Sequence, residues 1–160
     1  MRHLRFPILN AAFLQEVKES HTELWEGVAL LERFCSEAYD PLSNDDLTLV
    51  SLGRLLQVMR DKLAVQFDLE ETFGYLSDSK LVNEELHQQV SQALHGHRWL
   101  YLSLVELSEQ VDDFEYRGTL RANLHDVVQE VRSFLSNLKA HEDLEAKLIR
   151  QALTSFATLD

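Results

Sequence analysis

Apolar residues recur every three or four positions in long stretches of the chain that are separated by short polar segments. The first stretch covers about 9–37 and the second about 46–76. The third begins after a cap within 77–83 and runs to about 111, and the fourth begins after a link at 112–118. A repeat of about 3.6 residues indicates a helix with one face in a core. The turn-rich residues from Tyr39 to Asp46 end the first helix and cap the second. The pattern predicts an all-α protein.

The apolar stripes also predict the topology and the core. Short links favour antiparallel neighbours, so we expect an up-down-up-down four-helix bundle that forms a single domain over residues 1–160. Five Gly and two Pro provide little turn chemistry for a many-stranded sheet, which agrees with a few long helices. The residues expected in the core are Leu56, Met59, Leu63, Leu94 (or its neighbour Ala93), Tyr101, Phe134 and Leu138.

Polar side chains interrupt these apolar stripes in every predicted helix. They are His21, Gln66, Glu70, His97, His141 and Glu145. Each follows the helical repeat of its own segment, which directs it toward the centre of the bundle. A buried histidine or carboxylate is costly unless something pairs with it, and bundles build carboxylate and histidine metal sites in this way. At ~1.5 Å per residue, His21 and Gln66 face each other, whereas His97 lies roughly one to two turns from level with Glu70 and His141.

The spacing of these groups suits a transition metal. Gln66 and Glu70 are four residues apart, as are His141 and Glu145, so each pair lies on one helix face. Imidazole and carboxylate together suit iron, manganese or zinc better than calcium or magnesium. Glu70 and Glu145 would suit a bridge between two ions.

Several of these residues also have a purely structural interpretation. His21 alone is typical of a core histidine bonded to a carbonyl group, and Glu70 and Glu145 can lie at a stripe edge and face water. His95 competes with His97 for the inward position on the third helix. The groups expected in solvent are His3, His87, His95, His125, Asp112-Asp113 and Glu142-Asp143.

Charge and cysteine content exclude several classes of function. The formal net charge is −12, and nucleic-acid binding depends on clustered cations, so no nucleic-acid partner is expected. The single cysteine, Cys35, allows no intramolecular disulfide, fits a reducing compartment and is expected to be a small core residue. The N-terminus lacks the apolar stretch of a secretion signal, and no run approaches the ~18 apolar residues of a membrane span. We therefore expect a cytoplasmic protein without a membrane partner.

The chain resembles the hemerythrin-like family of histidine-histidine-glutamate cation-binding domains over nearly its whole length. The segments that carry the resemblance are Ser20-His21-Thr22-Glu23-Leu24, Gln66-Phe67-Asp68-Leu69-Glu70-Glu71 with Gly74-Tyr75-Leu76, His97-Arg98 and His141-Glu142-Asp143-Leu144-Glu145. The resemblance implies that His21, His97 and His141 are metal ligands and that Glu70 and Glu145 bridge. It implies an iron cofactor, with one or two non-haem ions, or another divalent transition metal.

The chain departs from the family pattern at several ligand positions. The family motif His-Phe-x-x-Glu-Glu has Gln66 here in place of its histidine, and an amide oxygen is a poorer donor than imidazole. Oxygen carriers of the family place two histidines four apart on the third helix and an aspartate five residues after the fourth-helix histidine. Here His97 has Ala93 and Tyr101 at that spacing, and Ala146 stands in place of the aspartate. Reversible oxygen carriage is therefore not implied.

Two functions of different classes follow. The first is a hemerythrin-like iron-binding protein that senses, stores or scavenges iron, O2 or another small oxidant. The alternative is a metal-free four-helix interaction or regulatory module with a degenerate site, which Gln66, Ala146 and the acidic composition favour. A di-metal oxidase or peroxidase is the least favoured, because nothing in the sequence supplies a substrate pocket.

Overall fold

Four α-helices account for nearly all of the chain that the structure describes. This computed structural model describes residues 11–39, 46–73 and 84–157, apart from the side chains of 11–18, 46–51, 72–73, 86, 149 and 152–157. The helices are α1 (Ala11–Glu37), α2 (Asp46–Phe73), α3 (Glu84–Arg117) and α4 (Leu124–Ala157), and a short 3-10 helix at Arg121–Asn123 precedes α4. These described ranges contain no strand, which confirms the all-α prediction.

The helices close around one apolar core. α1 packs against α2 and α4, and α3 also packs against α2 and α4. This arrangement is consistent with a helical bundle, in which every helix buries its apolar stripe against two neighbours. Five of the predicted core residues are buried: Leu56, Met59, Leu63, Phe134 and Leu138. Cys35 is buried as well, which confirms that it is a small core residue.

The prediction that Leu94 lies in the core is wrong. Leu94 is 37% exposed, whereas its neighbour Ala93 is fully buried. The buried positions on α3 include Val90, Ala93, His97 and Leu100, which alternate steps of three and four residues and leave Leu94 outside the stripe. Tyr101 is only partly buried.

The third helix is longer than the sequence predicted. Its last turns include Asp112 and Asp113, which were expected to belong to the link before the fourth helix. Gly118, with φ of 68°, ends the helix in the left-handed conformation that glycine adopts without strain. The amide of Gly118 donates to the Glu115 carbonyl at 3.1 Å, and the amide of Thr119 donates to the Phe114 carbonyl at 2.8 Å, which together form a Schellman motif.

Some predictions fall on parts of the chain outside the described residues. They are the helix limits near 9 and 76, the turn residues 40–45, the cap within 77–83 and the exposure of His3. Within the three described ranges, none of the helices combines the length and apolar character that crossing a bilayer requires.

Candidate metal centre

Five of the six polar residues singled out from the sequence are buried together. Gln66, Glu70, His97, His141 and Glu145 are 1%, 4%, 2%, 7% and 2% exposed. α2, α3 and α4 supply them, and the short contacts between them show that the offset expected from counting along the helices does not keep them apart.

Two imidazole rings point their Nε2 atoms at one carboxylate oxygen. Nε2 of His141 donates to Oε1 of Glu145 at 2.7 Å, and Nε2 of His97 forms a very short hydrogen bond with the same oxygen. Glu70 Oε2 lies 3.1 Å from His97 Nε2 but has no hydrogen bond among the described residues, because the proton of that nitrogen is directed at Glu145. One ring nitrogen therefore faces two carboxylates.

The other nitrogen of His97 also faces a carboxylate. Nδ1 lies 3.0 Å from Oε1 of Glu71, a side chain that is 43% exposed. Burial lowers the pKa of His97, but the hydrogen bonds to Glu145, Glu70 and Glu71 outweigh it and raise the pKa to about 10. The ring is therefore a cation at neutral pH in this arrangement.

The two buried glutamates respond to this charge in opposite directions. Burial alone raises the pKa of Glu145, but hydrogen bonds from His141 and His97 outweigh it and lower the pKa to about 2. Burial raises the pKa of Glu70, and the negative charge of Glu145 adds to the effect. Burial thus disfavours the charged form of both groups, but the histidines keep Glu145 ionised, whereas the pKa of Glu70 stays raised.

The cluster has more acceptors than donors. Gln66 donates from Nε2 to Glu70 Oε1 at 2.8 Å. Gln66 Oε1, Glu70 Oε2 and Glu142 Oε1 are buried and accept no hydrogen bond from any described residue. Buried oxygens without a donor are costly, and a bound cation would satisfy them. On this evidence the residues present fit a metal ion.

The sixth predicted residue, His21, is not part of the buried group. Its side chain is 46% exposed. Trp25 donates from Nε1 to His21 Nε2 at 2.8 Å, and Oε2 of Glu142 lies 3.5 Å from the same nitrogen. The expectation that His21 points to the centre is wrong, because the hydrogen bond from Trp25 holds the ring at the exposed rim, beside Glu142.

Two residues near the cluster were missed as contributors by sequence reasoning. Glu142 was assigned to solvent together with Asp143, but its side chain is only 15% exposed, whereas Asp143 is exposed. Glu142 follows the buried Leu138 by four positions and precedes Glu145 by three, and this spacing could have placed it on the inner face. Glu71 was quoted only as part of a motif, without its role beside His97.

Phe67 and Gly96 set the position of the two rings. Phe67 stacks on His97 with ring centroids 3.8 Å apart and planes within 9°, and its ring lies edge-on to His141 at 5.7 Å. A Cβ atom on Gly96 would lie 2.7 Å from Nδ1 of His141. The absence of a side chain at Gly96 thus lets the ring of His141 lie against α3.

We compared the protein with protein-family models, with curated proteins and with solved structures, and none of the three comparisons found a match.

Proposed function

We propose that this protein is a hemerythrin-like, non-haem iron-binding protein that senses, stores or scavenges iron, oxygen or other small oxidants. The observation that carries the proposal is the convergence of His97 and His141 on one oxygen of Glu145, beside buried oxygens that have no donor among the described residues. Imidazole and carboxylate are ligands that iron accepts in proteins.

The proposal includes an up-down-up-down topology. Contacts between neighbouring helices support it. In each pair of helices, as the residue number rises along one helix, the number of the residue that it contacts on the other helix falls. The contacts are Glu23 with Lys62 and Gly27 with Met59, Gln57 with Asp112 and Glu71 with His97, and His21 with Glu142 and Tyr39 with His125. This order is the one that antiparallel neighbours produce.

The roles of the chain's own residues follow from the geometry. His97 and His141 would bind through Nε2, and Glu145 and Glu70 would bind through carboxylate oxygens. Glu71 accepts a hydrogen bond from Nδ1 of His97 and would keep the proton on that atom, so that a metal would displace only the proton on Nε2. When bound, iron supplies redox chemistry toward a small oxidant.

An open cavity lies beside His97 at the edge of this site. It has a volume of about 280 Å³ and is lined by residues that include Phe67, Glu71, His97 and Tyr101. A small molecule such as O2 fits in this volume, and the stacked ring of Phe67 covers one face of His97.

The second candidate is the metal-free module, and one observation favours it. The amide of Gln66 already donates to Glu70, and protonated His97 already pairs with Glu145. Buried ionic networks of this kind occur without any metal.

Metal loading distinguishes the two candidates. Protein loaded with ferrous iron under anaerobic conditions should bind up to two ions per chain, and His97→Ala or His141→Ala should lower the iron content sharply. His95→Ala is the matched control, because His95 lies on the same helix two residues from His97 and is exposed. Iron content that is zero in the wild type, or equal in all variants, would support the metal-free module.

A further inference from the structure

The ligand atoms of the buried cluster fall into two sets of different chemistry. One set is His97, His141 and Glu145, and the other is Glu70, Glu142 and Glu145. Within each set the ligand atoms lie within 4.8 Å of one another, and Glu145 belongs to both. Metal–ligand bonds are ~2.0–2.6 Å long, so ligands on opposite sides of one ion lie roughly 4–5 Å apart. Each set therefore has the span of a single cation.

The second set is more than a group of acidic side chains. Gln66 is 1% exposed and Glu70 is 4% exposed, and each has a buried oxygen that accepts no hydrogen bond from the described part of the chain. The Gln66 amide contacts Glu70 directly through Nε2. Since the nitrogen makes this contact, the Gln66 oxygen is left without a donor among the described residues, next to a set of three carboxylates that contains no nitrogen ligand.

Glu142 is oriented for this role. Its Oε2 atom faces His21 at 3.5 Å, whereas its Oε1 atom is buried and has no donor among the described residues. Trp25 donates a hydrogen bond to the His21 nitrogen that lies nearest to Glu142, and this bond holds the imidazole ring at the rim, outside the set. A carboxylate oxygen of Glu142 also lies within 4.8 Å of ligand atoms of Glu70 and Glu145.

We propose that the centre binds two unlike cations that share Glu145. His97 and His141 define a position for a first-row transition metal, and Glu70, Glu142 and the Gln66 oxygen define a position for a hard divalent cation such as Mn²⁺. Imidazole favours iron and zinc, whereas shells made only of oxygen favour manganese, magnesium and calcium. The inference rests on the proposed function and adds Glu142 to the ligands.

Two spectroscopically different probes test the inference. Zn²⁺, followed by calorimetry, reports on the position with histidines. Mn²⁺, followed by the electron paramagnetic resonance signal of the free ion, reports on the other position in protein that already holds one equivalent of Zn²⁺. The wild type should bind one Zn²⁺ and then one Mn²⁺, and spin-echo spectra of the bound Mn²⁺ should show no coupling to imidazole nitrogen.

Glu142→Gln should weaken Mn²⁺ binding by about tenfold or more and leave Zn²⁺ affinity within about twofold. Asp143→Asn is the matched control, since it makes the same change of charge at the adjacent exposed position, and it should leave both affinities unchanged. Nitrogen coupling to Mn²⁺ in the wild type, or equal losses of Zn²⁺ and Mn²⁺ affinity in Glu142→Gln, overturns the inference. The spin-echo result does not depend on any variant's stability.

The same experiment separates this inference from the proposal on which it rests. If the wild type binds Zn²⁺ and iron but zinc-loaded protein does not bind Mn²⁺, the two-cation inference fails and the iron-binding proposal stands. If the wild type binds neither Zn²⁺ nor iron, the iron-binding proposal itself fails.

Discussion

Gly96→Ala tests the position of the His141 ring against α3. The new Cβ atom would lie 2.7 Å from Nδ1 and 3.1 Å from Cε1 of His141. Ordinary contact begins at 3.4 Å, so the ring would have to withdraw by about 0.7 Å. Alanine gains ~1 kcal/mol over glycine inside a helix, whereas overpacking costs ~1–3 kcal/mol. We expect a net loss of stability of about 0–2 kcal/mol.

The displacement of the ring should affect metal binding more than folding. Ligand sites need their groups within ~0.5 Å of the productive position, so a shift of this size should lower Zn²⁺ affinity by about tenfold or more. Urea unfolding and calorimetric Zn²⁺ titration measure the two effects separately on the same samples.

Gly53→Ala is the matched control for this prediction. A Cβ atom there would lie 3.0 Å from Oε2 of Glu115 and 3.1 Å from Oδ1 of Asp112, both at the ends of flexible side chains. This variant should gain up to ~1 kcal/mol of stability and leave Zn²⁺ affinity unchanged. The assigned geometry is refuted if Gly96→Ala behaves like Gly53→Ala in both measurements.

Further predictions concern the core, the pH response and Gln66. Leu63→Ala should lower the free energy of unfolding, measured in urea, by ~2–5 kcal/mol, because Leu63 is fully buried. Leu94→Ala, at an exposed position, should change it by less than ~0.5 kcal/mol, and equal losses would contradict the assigned helix faces. The pKa of His97 is raised to about 10, so its stabilisation of metal-free protein should be complete below the unfolded pKa of ~6.5 and lost as the pH rises through 10. His97→Gln should remove this loss of stability at high pH. Urea unfolding midpoints measured between pH ~6.5 and 10 test the prediction, and an equal fall in wild type and variant would contradict the role of His97. Gln66→His should raise ferrous iron affinity if the site binds metal. In a metal-free network the same change removes the amide that donates to Glu70, and a lower melting temperature without iron binding would favour that alternative.

Much of the fold and most of the buried cluster could be predicted from the spacing of residues. His97 follows Ala93 by four positions and precedes Leu100 by three, so the helical repeat selects it over His95, and the structure places His97 inside and His95 outside. Glu70 and Glu145 were open to an interpretation as solvent-facing edge residues, and both are buried. Periodicity works for these residues because they lie near the middle of their stripes.

The rim of the site could not be predicted in the same way. His21 and Glu142 lie at the edges of their stripes, where a small rotation of a helix exchanges inside and outside. A hydrogen bond from Trp25 decides the position of His21, and that bond depends on rotamers rather than on spacing. The end of α3 was placed too early for a different reason: Asp113 pairs with Arg117 one turn later, at 3.0 Å, and this pair supports a helix through residues that resemble a loop.

The buried cluster also restricts how the helices can align along their length. Leucine and valine contacts are nearly interchangeable from one turn to the next, so an apolar interface tolerates a slide of one turn. A slide of α4 against α3 would separate Glu145 from His97 and leave a charge buried without its partner, at a cost of roughly 3–5 kcal/mol. We therefore expect one alignment of these two helices to be selected even when no metal is bound, and the leucines around the cluster to accept other apolar residues without a change of register.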